Sequence, residues 1–285
     1  MTRTGRPAAL FLGGLLLAGC AEAAGSAPAP EPVEAERYAV STTVLESPGH
    51  GPQLCLGGVE QSLPPQCGGP DVVGFEWADV DDEESANGTI WGDYGLVGTW
   101  DGDRFTLTEP PGDPDSVPRP DGLPDSDFST PCDPPEGGWA PVDERLMSTE
   151  AWSAATTYAD EQPDLGAIWL DQDAAWTGAG PDDVDAGVLT FSFTGDLDRH
   201  EAQLRQRYGG PICVVAAPQT AAKLQMLQAA VRDALPGSAL TISADGIRGV
   251  VEVWVPVVDD EIVQGIAAID PEGLVRAHAI LVRVD

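Results

Sequence analysis

Residues 110–146 are so dense in proline, aspartate and glycine that they divide the chain in two. The run PPGDPDSVPRPDGLPDSDFSTPCDPPEGG places a residue of fixed φ and no N–H every few positions. Each proline costs a helix interior one hydrogen bond and adds a clash, and it costs a central strand a ladder bond. The stretch therefore reads as a linker, and the folded parts must lie on either side of it.

Residues 39–109 read as a small all-β module. Short apolar runs cover Tyr38–Leu45, Gln53–Leu56, Val72–Trp77, Thr89–Tyr94, Leu96–Trp100 and Phe105–Thr108. Asp101-Gly102 and Asn87-Gly88 are turn signals between such runs. Five or six strands in so short a span predict a barrel or sandwich, with the OB-fold a candidate by strand count. The loop Ser62–Pro70 carries Cys67 between prolines and glycines.

Residues 147–285 change period. Ser148–Glu161, Leu197–Tyr208, Thr220–Leu235 and a segment capped by Asp259 show helical spacing. Gly166–Asp171, Val188–Phe193, Pro211–Ala216, Ala239–Ser243, Gly249–Val257 and Leu274–Val284 read as strands. The order is α-β-β-α-β, twice, with two units expected to close a single core. The fold class expected for the whole chain is α+β: a small β barrel or sandwich module, then a duplicated α-β-β-α-β module.

The N-terminus has two arginines (Arg3, Arg6), a short apolar run and then Leu17-Ala18-Gly19-Cys20. That order of parts is a secretion signal, and its apolar run is too short to span a bilayer. L-A-G-C resembles the lipobox of bacterial lipoproteins. The resemblance implies a signal peptide over 1–19, a lipid on Cys20 and a protein held on the outer face of the cell membrane. A diacylglyceryl group supplies the two chains that stable anchoring needs. Residues 20–38, rich in Ala, Pro and Glu, then read as a disordered tether.

The cysteine count fits this picture. Of five cysteines, Cys20 is taken by lipid, leaving Cys55, Cys67, Cys132 and Cys213. An even remainder in an exported chain predicts two disulfides. Three pairings are open; the short spacing favours Cys55–Cys67, which leaves Cys132–Cys213. A zinc site is the competing reading, and no CxxC or Cys/His spacing supports it.

Fourteen basic residues, two of them in the leader, face 47 acidic ones, for a formal charge of −33. Lys223 is the one lysine. Nucleic acid is excluded as a partner, because binding it requires phosphate neutralisation. The same balance argues against adsorption on anionic lipid surfaces.

The second module resembles the α/β pro-modules of secreted bacterial serine proteases in Trp169-Leu170-Asp171, the glycine turn, Val188–Phe193 and the helix after it. Its element order is also similar to the α-β-β-α-β BON domains of envelope proteins. Both resemblances imply a fold that binds surfaces.

No catalytic set stands out. His50 lies in a Pro-Gly-His-Gly-Pro turn, His200 on a helix edge and His278 on the terminal strand, and no G-x-S-x-G elbow occurs. Asp79, Asp81, Asp82 and Glu84 are candidate ligands for a weak calcium site, as is the run Asp182-Asp183-Val-Asp185. Neither has the spacing of an EF-hand loop. Phe75, Trp77, Trp91, Tyr94 and Trp100 are core candidates, one or two of which could face a sugar ring. The sequence thus favours a non-catalytic, membrane-anchored binding or structural protein, with another envelope protein or a glycan as partner. The alternatives are a carboxylate-dependent hydrolase outside the cytoplasm and a calcium-stabilised structural module.

Overall fold

A computed structural model describes residues 35–120, 127–174 and 187–285. The protein is mixed α+β and mostly strand, with four α-helices among the described residues. The first half contains β1 (Arg37–Ser47), β2 (His50–Leu54), β3 (Asp71–Val73), β4 (Glu84–Ala86), β5 (Thr89–Trp100) and β6 (Arg104–Leu107). β1 pairs antiparallel with β5 along nearly its whole length, from Arg37↔Thr99 to Glu46↔Ile90. Its other edge takes β2, β2 takes β3, and β3 runs parallel to β6, which returns to β5. The circuit β1-β2-β3-β6-β5-β1 therefore closes on itself, and closure leaves no exposed edge within it. Inward residues alternate along the strands and meet as Val40, Val44, Leu54, Leu96 and Phe105.

The sequence pattern places two strands over 89–100, whereas the structure has one. Gly95 looks like a break in the apolar pattern, yet its N–H and C=O both bond Gly112 at 2.9 Å. Gly98 has a different need for glycine. A Cβ there would collide with the Thr106 carbonyl and the Phe105 ring, so only glycine lets β5 coil this closely over β6.

The Asp101-Gly102 turn forms as expected. Asp101 Oδ1 accepts from the N–H groups of Asp103 and Arg104 at 3.0 and 2.8 Å. Those backbone bonds hold the Asp101 carboxyl below its usual range. A depressed carboxyl contributes stability above its unfolded pKa and loses it as pH falls through the folded value. Asp101→Ala is therefore expected to lower urea stability at pH 7, with the difference from the parent shrinking as pH falls below the ordinary carboxylate range. A difference that did not shrink with acidification would show that the carboxylate is not what holds the turn.

The second half runs α1 (Thr149–Asp160), β7 (Leu165–Asp171), β8 (Val188–Phe193), α2 (Leu197–Arg205), β9 (Ile212–Ala216), α3 (Ala221–Ala234), β10 (Thr241–Asp245), β11 (Val250–Val255), α4 (Asp260–Ile269), β12 (Val275–Ala279) and β13 (Val282–Val284). Side-chain caps begin three helices. Ser148, Thr220 and Asp259 accept from the N–H groups of Ala151, Lys223 and Ile262, each satisfying a donor the helix leaves unpaired.

Two three-stranded sheets result, β7-β8-β9 and β10-β11-β12. Each has an antiparallel first pair and a parallel second pair. The registers also correspond. Leu189↔Ile212 begins one parallel pair and Val251↔Val275 the other, and both continue for five residues. Asp171 and Asp245 close the first strand of each sheet.

Two details differ from the sequence reading. The sheets do not share one core. Phe191, Phe193, Leu204 and Tyr208 form one cluster, and Leu224, Val231, Val251 and Val253 form another. The final strand also divides. β12 stays with the second sheet, while β13 crosses to the barrel and pairs with β1 through Arg37↔Val284, carrying Leu281, 2% exposed, into the barrel core. Both segments have the same alternating pattern, and alternation does not say which sheet a strand joins. Residues 36–285 form one compact unit.

Two disulfides are present, Cys55–Cys67 and Cys132–Cys213. The second fastens the proline-rich segment to β9. The Thr130 N–H adds a bond to Asp171 Oδ2 at 2.6 Å, and the Trp169 indole donates to the Ser129 carbonyl at 3.4 Å. Residues 129–132 thereby cover the side of the first sheet that faces away from its helices.

Candidate functional site

The two matching sheets treat that outward side differently. In the first it carries Trp169, Asp171, Thr190, Ser192 and Cys213, all buried. By strand register the corresponding positions in the second are Ser243, Asp245, Glu252, Trp254 and Arg276, and Ser243 and Arg276 are exposed. His278 stands opposite Trp254, where the first sheet has Val215 opposite Ser192.

Glu252 is the centre of this group and only 2% exposed. The His278 Nε2–H donates to its Oε2 at 2.5 Å, and the Arg248 guanidinium donates to its Oε1. Arg248 also lies 3.8 Å from Asp245. The Trp254 and His278 rings stack with centroids 4.8 Å apart and 24° between planes. Burying a carboxylate costs several kcal/mol of hydration, about offset when a cation and hydrogen bonds are supplied. The first sheet has Thr190 at this position, so the fold itself does not require the charge.

His278 also lines a cavity of ≈ 500 Å³ where β12 meets the barrel, together with Tyr38, Arg119, Val257, Val258 and Arg283. A second opening, of ≈ 370 Å³, lies between the β5–β6 turn and the start of α4. Trp100, Asp103, Ser238 and Asp259 contribute to its walls. Trp100, one of the core-candidate aromatics, reaches this cavity wall. Phe75 and Tyr94 lie in the barrel core, and Trp77 packs against them with its ring edge-on to both.

His200 is not the helix-edge residue its sequence position suggests. It is fully buried and lies flat on Phe193, 3.7 Å between centroids and 3° between planes. Its Nε2–H donates to Asp164 Oδ2, and its Nδ1 meets the Tyr158 hydroxyl, both at 3.0 Å. Arg207 lies over the Tyr158 ring. This network faces the helix core, and its imidazole has no solvent contact. His50 is exposed at the start of β2.

The acidic run 79–84 surrounds Tyr94. Burial raises that phenol's pKa first, and the charges of Glu83, Asp82 and Asp81 raise it further. Asp79, Asp81, Asp82 and Glu84 are not gathered into a cage: among the described residues no group of three or more His, Cys, Asp or Glu side chains could hold a metal ion. Asp182, Asp183 and Asp185 fall outside the described residues, as does Cys20. No helix among the described residues is long and apolar enough to cross a membrane.

Sequence reasoning missed Glu252, Arg248, Asp164 and Tyr158. One signal was visible for Glu252: it is the one charged residue in Val-Val-Glu-Val-Trp-Val. An acid at a buried position in an apolar strand calls for a partner. Compared with known proteins, the chain matches no family model, no curated protein and no solved structure.

Proposed function

We propose that the protein is a lipid-anchored binding protein on the outer face of the cell membrane. The observation that carries this reading is the cysteine pairing. Cys55–Cys67 and Cys132–Cys213 use four of five cysteines, and disulfides persist in oxidising compartments. The remaining one is Cys20, at the end of the lipobox-like Leu17-Ala18-Gly19. The leader is then removed at Cys20, and residues 20–38 serve as tether.

Binding rather than catalysis is supported by the second sheet, where a buried Glu–His–Arg group borders an open cavity. We further infer that the two α-β-β-α-β units descend from a duplication, on the strength of their shared pairing senses and register. In that reading the copy covered by residues 129–132 is structural and the uncovered copy acquired the ligand-facing role. The closed barrel, with its one parallel pair, supports an OB-type assignment. The partner is another envelope component, a protein or a glycan.

One geometric detail weighs against hydrolysis at the groove beside α1, which Glu150 and Glu161 line. Glu150 is held below its usual pKa by its own backbone N–H and the Ser148 hydroxyl. A carboxylate kept ionised is in the wrong state to act as a general acid.

Intact mass of the protein extracted from membranes tests the placement. The expected species begins at Cys20, carries a diacylglyceryl-sized addition and lacks four hydrogens for two disulfides. A species that keeps Met1, or an unmodified Cys20, would overturn it. Cross-linking on intact cells that recovered no envelope component would count against the binding role.

A further inference from the structure

The cavity beside β12 reverses the protein's charge. Its described lining contains Arg119, His278 and Arg283 and no acidic side chain, in a chain with 47 acidic residues against 14 Lys and Arg. The lining also includes the apolar side chains of Val257, Val258 and Leu281, with Val258 36% exposed.

Each arginine is held by a carboxylate of the chain itself. Glu36 pairs with Arg283, and Asp115 pairs with Arg119. All four side chains are more than half exposed, and pairs of that kind exchange partners at little cost. Glu36 also accepts from the Tyr38 hydroxyl at 2.8 Å. Burial raises the Tyr38 pKa, with the Glu36 hydrogen bond adding to it, so the phenol remains a donor. One carboxylate already occupies the arginine-and-phenol mouth that an incoming acid would use.

His278 adds a further polar group. Its Nε2 is committed to Glu252, and its Nδ1 makes no hydrogen bond among the described residues. The charged group that fixes this ring is absent from the corresponding place in the first sheet, where Thr190 and Val215 stand.

We propose that this cavity binds a single molecule of an anionic amphiphile. Its phosphate or carboxylate group displaces Glu36 and Asp115 and is held by Arg283, Arg119 and Tyr38, beside His278. Its hydrocarbon lies against Val257, Val258 and Leu281. Arginine suits such an acid because its donors match two oxygens at once. The ligand is a free monomer and not a membrane surface, since the net charge of −33 repels an anionic bilayer. The proposal rests on the reading of the protein as a binding protein and names its ligand class.

Calorimetric titration of the exported full chain carrying Cys20→Ser tests it, with octyl phosphate, octanoate, octyl glucoside and inorganic phosphate as probes. The two acid amphiphiles should bind one to one, each at least about tenfold more tightly than octyl glucoside or inorganic phosphate. The pair Arg119→Ala and Arg283→Ala should weaken them at least about tenfold with the melting temperature unchanged. Glu36→Gln should tighten them about threefold, because a competing carboxylate is gone. Equal binding of octyl glucoside, or undiminished binding in the double variant, would overturn the proposal. Should no acid probe bind while cross-linking still recovers an envelope component, the ligand class fails and the binding role stands.

Discussion

Removing the Cys132–Cys213 bond by paired serine substitution is expected to cost about 4.5 kcal/mol of stability in the chain-entropy model. The bond closes a span of 81 residues, so its loss frees a large part of the unfolded ensemble. At roughly 2–4 °C per kcal/mol for a chain of this size, the melting temperature should fall by about 10 °C or more. The same model gives about 2.8 kcal/mol for Cys55–Cys67, which closes 12 residues. The larger loss should have a structural consequence. Without the bond, residues 129–132 keep the Thr130 N–H bond to Asp171, the Trp169 bond to the Ser129 carbonyl and a long Thr190–Thr130 hydroxyl contact against the first sheet. Proteolysis between 127 and 140 should then accelerate while cleavage elsewhere stays slow. A serine pair that melts within about 2 °C of the parent would mean the segment is held by its packing and not by the bond.

His200→Ala is expected to be the most damaging single substitution outside the disulfides, at about 3 kcal/mol or more. It empties a fully buried ring site stacked on Phe193. It also removes the partner of Asp164 Oδ2, while Asp164 Oδ1 already has no hydrogen-bond partner. His200→Phe separates the two contributions. Phenylalanine keeps the stack but bonds neither Tyr158 nor Asp164, so its cost should be about half that of alanine. Urea denaturation of the three proteins measures both quantities. If alanine costs less than about 1 kcal/mol, the network is not a core element. If phenylalanine costs as much as alanine, the hydrogen bonds and not the stack provide the stability.

These results would bear on how far the chain can be read unfolded. The caps Ser148 and Asp259 are legible because a cap involves residues three apart; Thr220, read only as the start of its helix, proves to cap it as well. The turns at Asn87-Gly88 and Asp101-Gly102 were legible for the same reason, since each depends on the φ values of adjacent residues. The Cys132–Cys213 bond was reached by elimination. His200 reads from the sequence as a helix-edge residue, yet it is fully buried. Its burial depends on Phe193 and Asp164, which reach it only when β8 and the α1–β7 connection pack beneath α2. Glu252 was passed over because the histidine that satisfies it lies 26 residues away.

The sequence by itself determined the mixed α+β character, the order of the four helices and most of the strands, and the cysteines available for pairing. Those properties rest on local backbone preference, period and residue count. Only the tertiary structure decided that the barrel closes, that β13 joins it, that two sheets keep two cores, and that one sheet face is sealed by residues 129–132 while its counterpart carries Glu252 and His278. Each of these depends on which distant strands share hydrogen bonds, and an alternating pattern is satisfied equally well by either partner.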